Sequence, residues 1–206
     1  MSQDYIRMSK KYYWENRMNN NIEIHPSAII AENVIIEDDV YIGPNCIIGF
    51  PAEDKKTFPR APFGVRICSG TKITGNVTID AGTVRDTHVG RNCFLMKGSH
   101  LGHDVFMEDN VVLSCHAVVG GHVHIKEGSN LGLGCIIHQR QTIWNYSMIG
   151  MGAIVTKKLV MEPFGIYVGN PAKKIGTNEV GLKKGELTQE AIKTIQDEFE
   201  ISGKTL

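Results

Sequence analysis

An aliphatic residue at every sixth position over most of the chain limits the fold more than any other feature. Ile24, Ile30, Ile36, Ile42 and Ile48 open the series, and Ile22, Ala28, Val34, Val40 and Cys46 sit two places earlier. The phase slips across residues 49–64, resumes at Ile67, Ile73 and Ile79, and slips again across residues 81–88. It then runs unbroken from Val89 through Leu95, Leu101, Met107, Leu113, Val119, Ile125, Leu131, Ile137, Ile143 and Ile149 to Val155. Two places before these stand mostly small residues, among them Ser99, Ala117, Ser129, Cys135 and Ala153. An α-helix repeats near 3.6 residues and a simple strand near 2, so neither explains the pattern. A short strand followed by a turn does, with the large aliphatics in a narrow interior and the small residues at the bends.

Composition agrees with such a parallel β-solenoid. The 206 residues suit one medium domain, 42% hydrophobic but only 7% aromatic, with 22 glycines. Lys+Arg and Asp+Glu each number 22, so a zero net charge argues against nucleic acid or an anionic membrane surface as general partners. Five cysteines with no C-x-x-C pair argue against a disulfide framework or a zinc knuckle. No apolar run approaches the ~18 residues that span a bilayer, and the first residues lack the core of a signal peptide. The expectation is a soluble, cytoplasmic protein without membrane insertion.

Residues 18 apart stack if three hexads make one coil, and this arithmetic sorts the eight histidines. His100, His103, His122 and His138 all fall within three residues of the Leu101/Val119/Ile137 row. They lie in the segments GSHLGHDVF, AVVGGHVHI and GCIIHQR. The ordered H-x-x-H-D, G-G-H-V and H-Q segments resemble those of the hexapeptide-repeat acyltransferases, and within them the UDP-N-acetylglucosamine O-acyltransferases of lipid A biosynthesis. The likeness runs from His25 to the C-terminus and includes VTIDAGTV at residues 77–84 and GNPAKKIGTNEVGLKKGELTQEAI at residues 169–192.

That resemblance implies a left-handed parallel β-helix with 18 residues per triangular coil, so the 20 hexads make roughly six to seven coils stacked at about 4.8 Å. It implies that His103 is the general base, that Asp104 orients or supports it, and that the Gly121 N–H receives the oxyanion. A neutral imidazole suits proton removal at cytosolic pH. Adjacent strand residues point to opposite sides, so His103 and Asp104 can meet only at a corner. A turn aspartate bonding its own backbone is the alternative for Asp104.

By the same resemblance His100, His122, His138 and Gln139 line the sugar and phosphate cleft between subunits of a homotrimer. Asp54 and Lys56 fall near the sugar, and Asn178 and Lys184 near the nucleotide, although Val180 and Gly185 replace family binding residues. Met151 and Pro171 stand where the family closes its acyl groove, and the bulky Met151 implies a short or medium acyl chain. Lys157, Lys158, Lys173, Lys174, Lys183 and Lys184 offer a basic surface for acyl carrier protein or for the phosphates of coenzyme A.

The chain divides into an extension at residues 1–21, the β-helix at 22–160 with a loop thrown out at 49–64, and a crossover with a short C-terminal helical segment at 161–206. That helix carries Leu187, Ala191, Ile192, Ile195 and Phe199 on one face and is expected to cover a solenoid end. The expected activity is transfer of an acyl group, 3-hydroxyacyl by resemblance, from an acyl-carrier-protein thioester to a UDP-linked N-acetylamino sugar. No tightly bound cofactor or metal is expected. Three alternatives remain: an acyl-CoA-dependent N-acyl- or N-acetyltransferase acting on a nucleotide-linked amino sugar, a zinc enzyme of this fold, and a non-catalytic scaffold.

Overall fold

The structure, a computed structural model, describes residues 21–203. Of the expected extension at residues 1–21 all but Asn21 lie outside it, as do the last three residues. Short strands, most of two residues, alternate with corners and form three sheets of nine, seven and six strands. Neighbouring strands within each sheet are parallel, apart from one antiparallel closing pair. The three sheets are the faces of a triangular prism.

Register carries the sequence period into space. Phe94 pairs with Val112, His100 with Val118 and Phe106 with His124, each 18 residues apart. Across the first slip the offset is 31, as between Tyr41 and Lys72, so 13 residues are inserted. Across the second it is 22, as between Thr78 and His100, so four are inserted. Both insertions leave from the corner between the seven- and six-stranded sheets, the corner that also holds His103, Gly121 and Gln139.

The interior is one aliphatic ladder per face. Ile42, Ile73, Leu95, Leu113, Leu131 and Ile149 are fully buried, as are Leu101 and Val119 on the second face and Met107 and Ile125 on the third. Each such side chain contributes about 1.5–3 kcal/mol through burial. The cysteines at the bends are free, and burial pushes the Cys93 and Cys135 thiols up to about 12. Corner geometry explains the many Asn and Asp residues. The second corner position takes a left-handed backbone at Asp39, Asn45, Asn76, Asn92 and Asn110, a conformation these side chains tolerate better than most.

Two features differ from expectation. The solenoid does not stop at residue 160: the strand Gly165–Val168 adds a further parallel rung, with Tyr167 opposite Ile149 and buried. The hexad pattern hides this because an aromatic ring replaces the aliphatic. The nine-stranded sheet therefore has eight parallel rungs before the antiparallel strand Lys173–Thr177, against the six to seven expected. Two helices follow, α1 (Glu179–Lys184) and α2 (Gln189–Gly203). Helix α2 does not cover the solenoid end. It lies on the side of the prism, where the Phe199 ring meets Trp144 edge-on at 5.1 Å and Glu198 pairs with Lys126 at 3.3 Å. Leu159, Met161 and Tyr167, with Gln141 donating to the Thr156 and Leu159 carbonyls, close the end instead.

Candidate active site

His103 and Asp104 are consecutive, yet their side chains meet, because they occupy a corner rather than a strand. Asp104 has φ of +60°, which turns its carboxylate back toward the preceding imidazole. His103 Nδ1 lies 2.6 Å from Asp104 Oδ2. The four-residue insertion wraps the rest of the carboxylate. The backbone N–H groups of Thr83, Val84 and Arg85 donate to Oδ1 at 3.0, 2.9 and 3.0 Å, and the Thr83 hydroxyl donates to Oδ2 at 2.6 Å. The Arg85 guanidinium donates to the Asp104 carbonyl, and the Asp104 N–H donates to the Thr87 hydroxyl.

Asp104 is fully buried. Burial alone would raise its pKa, but the bonds from His103, Thr83 and the amides of Val84 and Arg85 outweigh it and hold the carboxyl well below the ordinary range. An ionised carboxylate only accepts hydrogen bonds, so Nδ1 of His103 carries the proton and Nε2 is left as the basic atom. Asp104 does not bond its own backbone, which removes the turn-aspartate alternative.

Gly121 lies one rung above His103. A Cβ built there would come within 2.6 Å of His103 Nε2, so only glycine leaves the imidazole its space. Among the described residues the Gly121 N–H has no hydrogen-bond partner. His122 completes the cluster, its ring edge-on to His103 at 4.9 Å and its Nε2 3.6 Å from Asp104 Oδ2. Burial lowers the His122 pKa, and the nearby Asp104 charge opposes that only in part. The ligand atoms of His103, Asp104 and His122 lie within 4.8 Å of one another, as a metal site requires. Both Asp104 oxygens and Nδ1 of His103 are already spent on hydrogen bonds, so the donor set fits an acid–imidazole pair better than a cation.

The remaining expected residues divide into groups. His100 joins the corner, with Nδ1 2.7 Å from the Thr78 hydroxyl and Nε2 3.8 Å from Asp80. His138 and Gln139 lie one rung above Gly120 and Gly121 and are exposed; His138 Nδ1 bonds the Gln139 carbonyl at 2.8 Å. Asp54 lies in the 13-residue insertion. The Thr57 hydroxyl bonds its carboxylate and holds the pKa down, the Lys56 and Thr57 amides add to this, and the charge of His103 acts in the same direction. Lys56 contributes its backbone N–H to that turn.

Asn178 and Lys184 do not reach this corner within one chain. They line a separate cleft of about 700 Å³, with Asn110, Asn130, Tyr146 and Gly185, at the corner between the six- and nine-stranded sheets. Asn178 caps α1, accepting from the Gly181 N–H. Met151 is 76% exposed at the third corner, and Pro171 is exposed beside Ile154, whose carbonyl accepts from the Ala172 N–H. Of the basic residues, Lys174 is paired with Glu162. The Asp104 cradle of Thr83, Val84 and Arg85 has one trace in the sequence, the phase slip at residues 81–88, and Asp80 has none.

Fold and corner together define a class: the chain is an acyltransferase-like enzyme built on a left-handed parallel β-helix. No protein-family model matches it. Its sequence is homologous to proteins named acyl-[acyl-carrier-protein]–UDP-N-acetylglucosamine O-acyltransferase. That of Aliivibrio fischeri (strain MJ11) is 29% identical over 226 residues, which cover 89% of this chain and 85% of the relative. That of Herminiimonas arsenicoxydans is 32% identical over 157 residues, which cover 75% and 59%. Among solved structures, a UDP-N-acetylglucosamine acyltransferase from Bacteroides fragilis 9343 superposes with a TM-score of 0.77 at 27% identity, covering 88% of this chain and 71% of that one. The corresponding enzyme from Moraxella catarrhalis RH4 gives 0.67 at 27% identity, covering 84% and 82%.

Proposed function

We propose that the protein transfers a 3-hydroxyacyl group of short or medium length from an acyl-carrier-protein thioester to a sugar hydroxyl of UDP-N-acetylglucosamine, in the cytoplasm and as part of lipid A synthesis. The observation that carries this reading is the His103–Asp104 pair, with Nε2 free beneath a glycine whose N–H is unpaired. His103 Nε2 takes the proton of the acceptor hydroxyl as its oxygen attacks the thioester carbonyl. Asp104 keeps the Nδ1 tautomer and stabilises the imidazolium that forms. The Gly121 N–H receives the charge on the carbonyl oxygen. Collapse forms the ester and breaks the C–S bond, and the imidazolium returns its proton to the departing thiolate.

The working unit in this reading is a homotrimer. Asn178 and Lys184 sit at a different corner from His103, so a neighbouring copy must supply them to complete one cleft around the nucleotide and phosphates, beside His100, His122, His138, Gln139, Asp54 and Lys56. The seven-stranded sheet leaves Val118 and Ile136 exposed at 38% and 44%, and Leu133 and Met151 stand exposed at its edge. Such an apolar strip suits an acyl groove roofed by a second subunit, closed at its far end by Met151 and Pro171. The decisive experiment combines 3-hydroxyacyl carrier protein and UDP-N-acetylglucosamine with wild type and His103→Ala, with mass spectrometry of the product. An O-acyl nucleotide sugar is expected from wild type, with the rate falling about 10²–10⁴-fold in the variant. An undiminished rate in His103→Ala, or product only from acyl-CoA and an amino sugar, would overturn the reading.

A further inference from the structure

Asp80 ends the strand Thr78–Asp80, one rung below Gly102 and beside His100, yet the chemistry above gives it no task. Its side chain is 24% exposed, and among the described residues its carboxylate makes no hydrogen bond; the nearest partner is His100 Nε2, 3.8 Å from Oδ2. A carboxylate withdrawn from water without a donor is costly, and a chain of this length has many safer residues for the position. Burial pushes the Asp80 carboxyl up, against the charges of His100 and His103, and Glu53 adds to the rise. Asp104, one rung higher, is the contrast: a carboxylate whose oxygens are both filled.

The His100 ring is held for a purpose that the fold alone does not need. The Thr78 hydroxyl lies 2.7 Å from Nδ1, which turns Nε2 toward Asp80. With Thr78 donating to Nδ1, Nε2 carries the proton and faces a carboxylate just beyond hydrogen-bond reach. One oxygen about 2.8 Å from each closes a 3.8 Å gap, and only a group that both donates and accepts can do so. A substrate hydroxyl meets that requirement, as does the water it would displace; an ammonium or a methylene does not.

We infer that Asp80 and His100 form an acceptor-reading pair: a hydroxyl of the acceptor, other than the one acylated, donates to Asp80 and accepts from His100 Nε2–H. This rests on the acyl-transfer reading of the His103 corner and adds Asp80 as a specificity residue on its wall. A site built to bond a hydroxyl rejects analogues that lack it, because its own polar groups are then left unpaired.

Asp80→Ala, Asp80→Asn and His103→Gln, each in the full chain, test the inference. Calorimetry with UDP-N-acetylglucosamine, steady-state kinetics in both substrates and thermal unfolding are compared with wild type. Asp80→Ala is expected to raise the acceptor KM and Kd about 10- to 100-fold while the donor KM stays put. Asparagine, which keeps an acceptor oxygen, should recover part of the loss. Without acceptor, the Tm of Asp80→Ala should be unchanged or higher, since a largely buried carboxylate without a hydrogen-bond donor has been removed. An acceptor KM within twofold of wild type, or a fall in Tm accompanied by losses in both substrates, overturns the inference. His103→Gln separates the two readings: binding kept and turnover lost leaves the reaction standing whatever Asp80 does. Wild type that neither binds nor acylates UDP-N-acetylglucosamine overturns the proposed function, and this inference with it.

Discussion

Asp104 is the residue on which the corner depends. Its left-handed backbone costs energy for any residue except glycine, and the carboxylate recovers it through five donors: three amides, a hydroxyl and an imidazole. The depressed pKa makes this a stability contribution with a defined pH window. Between the lowered folded value and the ordinary 3.8, the unfolded chain binds more protons, so the contribution is complete above about pH 4 and is lost as pH falls below it. His122, lowered by burial, adds a separate loss that begins as pH falls through 6.5, where the unfolded imidazole takes its proton first. Asp104→Asn is expected to reduce unfolding free energy by about 3 kcal/mol at neutral pH and to flatten the profile below pH 4. Urea titrations at pH 7, 5 and 3.5 check both; a variant parallel to wild type throughout would show the cradle to be energetically idle.

The four-residue insertion is the element that turns a repeat into a site. Most corners pass directly to the next strand, but here residues 82–85 bulge outward and aim three consecutive amides at one oxygen. The donors are backbone, so side-chain chemistry does not announce them. Within the insertion Thr83 adds the one side-chain donor to the carboxylate, Arg85 reaching the Asp104 carbonyl instead, and the Thr83 hydroxyl also lies 3.5 Å from His103 Nδ1. Thr83→Val keeps the amides and removes the hydroxyl. Its expected cost is about 1–2 kcal/mol of stability and a five- to tenfold slower acyl transfer, without a change in acceptor KM. Equal rates for variant and wild type would mean that the amides suffice to orient Asp104. Helix α2 teaches a related lesson: its apolar face was legible, with Phe199 in it, but its dock against Trp144 was not, because periodicity assigns a face and not a partner.

For the whole molecule, the proposed reaction makes the prism a ruler. Met151 stands 48 residues after His103, two coils and two-thirds, which is about 13 Å along the axis. Val118, Ile136 and Leu133 mark an exposed apolar path between them. Met151→Gly is therefore expected to move the preference toward longer hydroxyacyl donors, read by competition among donors of graded length. An unchanged preference would assign Met151 to the subunit interface alone. The separation of His103 from Asn178 and Lys184 belongs to this scale as well: in the proposed trimer a neighbouring copy joins corners that one prism holds apart.

The six-residue period by itself determined the solenoid and its interior rows, while the 18-residue coil, and with it the corner on which His100, His103 and His122 gather, came with the family resemblance. A narrow prism leaves each interior position one choice, a mid-sized aliphatic, and so writes its geometry into the chain. Tertiary structure alone decided that Asp104 is cradled by an insertion, that Asp80 faces His100 at 3.8 Å without a hydrogen bond, that Tyr167 takes an aliphatic's place and that α2 packs on the side. Each of these depends on where an irregular segment or a ring comes to rest after the regular coils are stacked. Such contacts obey no period, and hydrogen bonds from backbone amides leave no residue type to read.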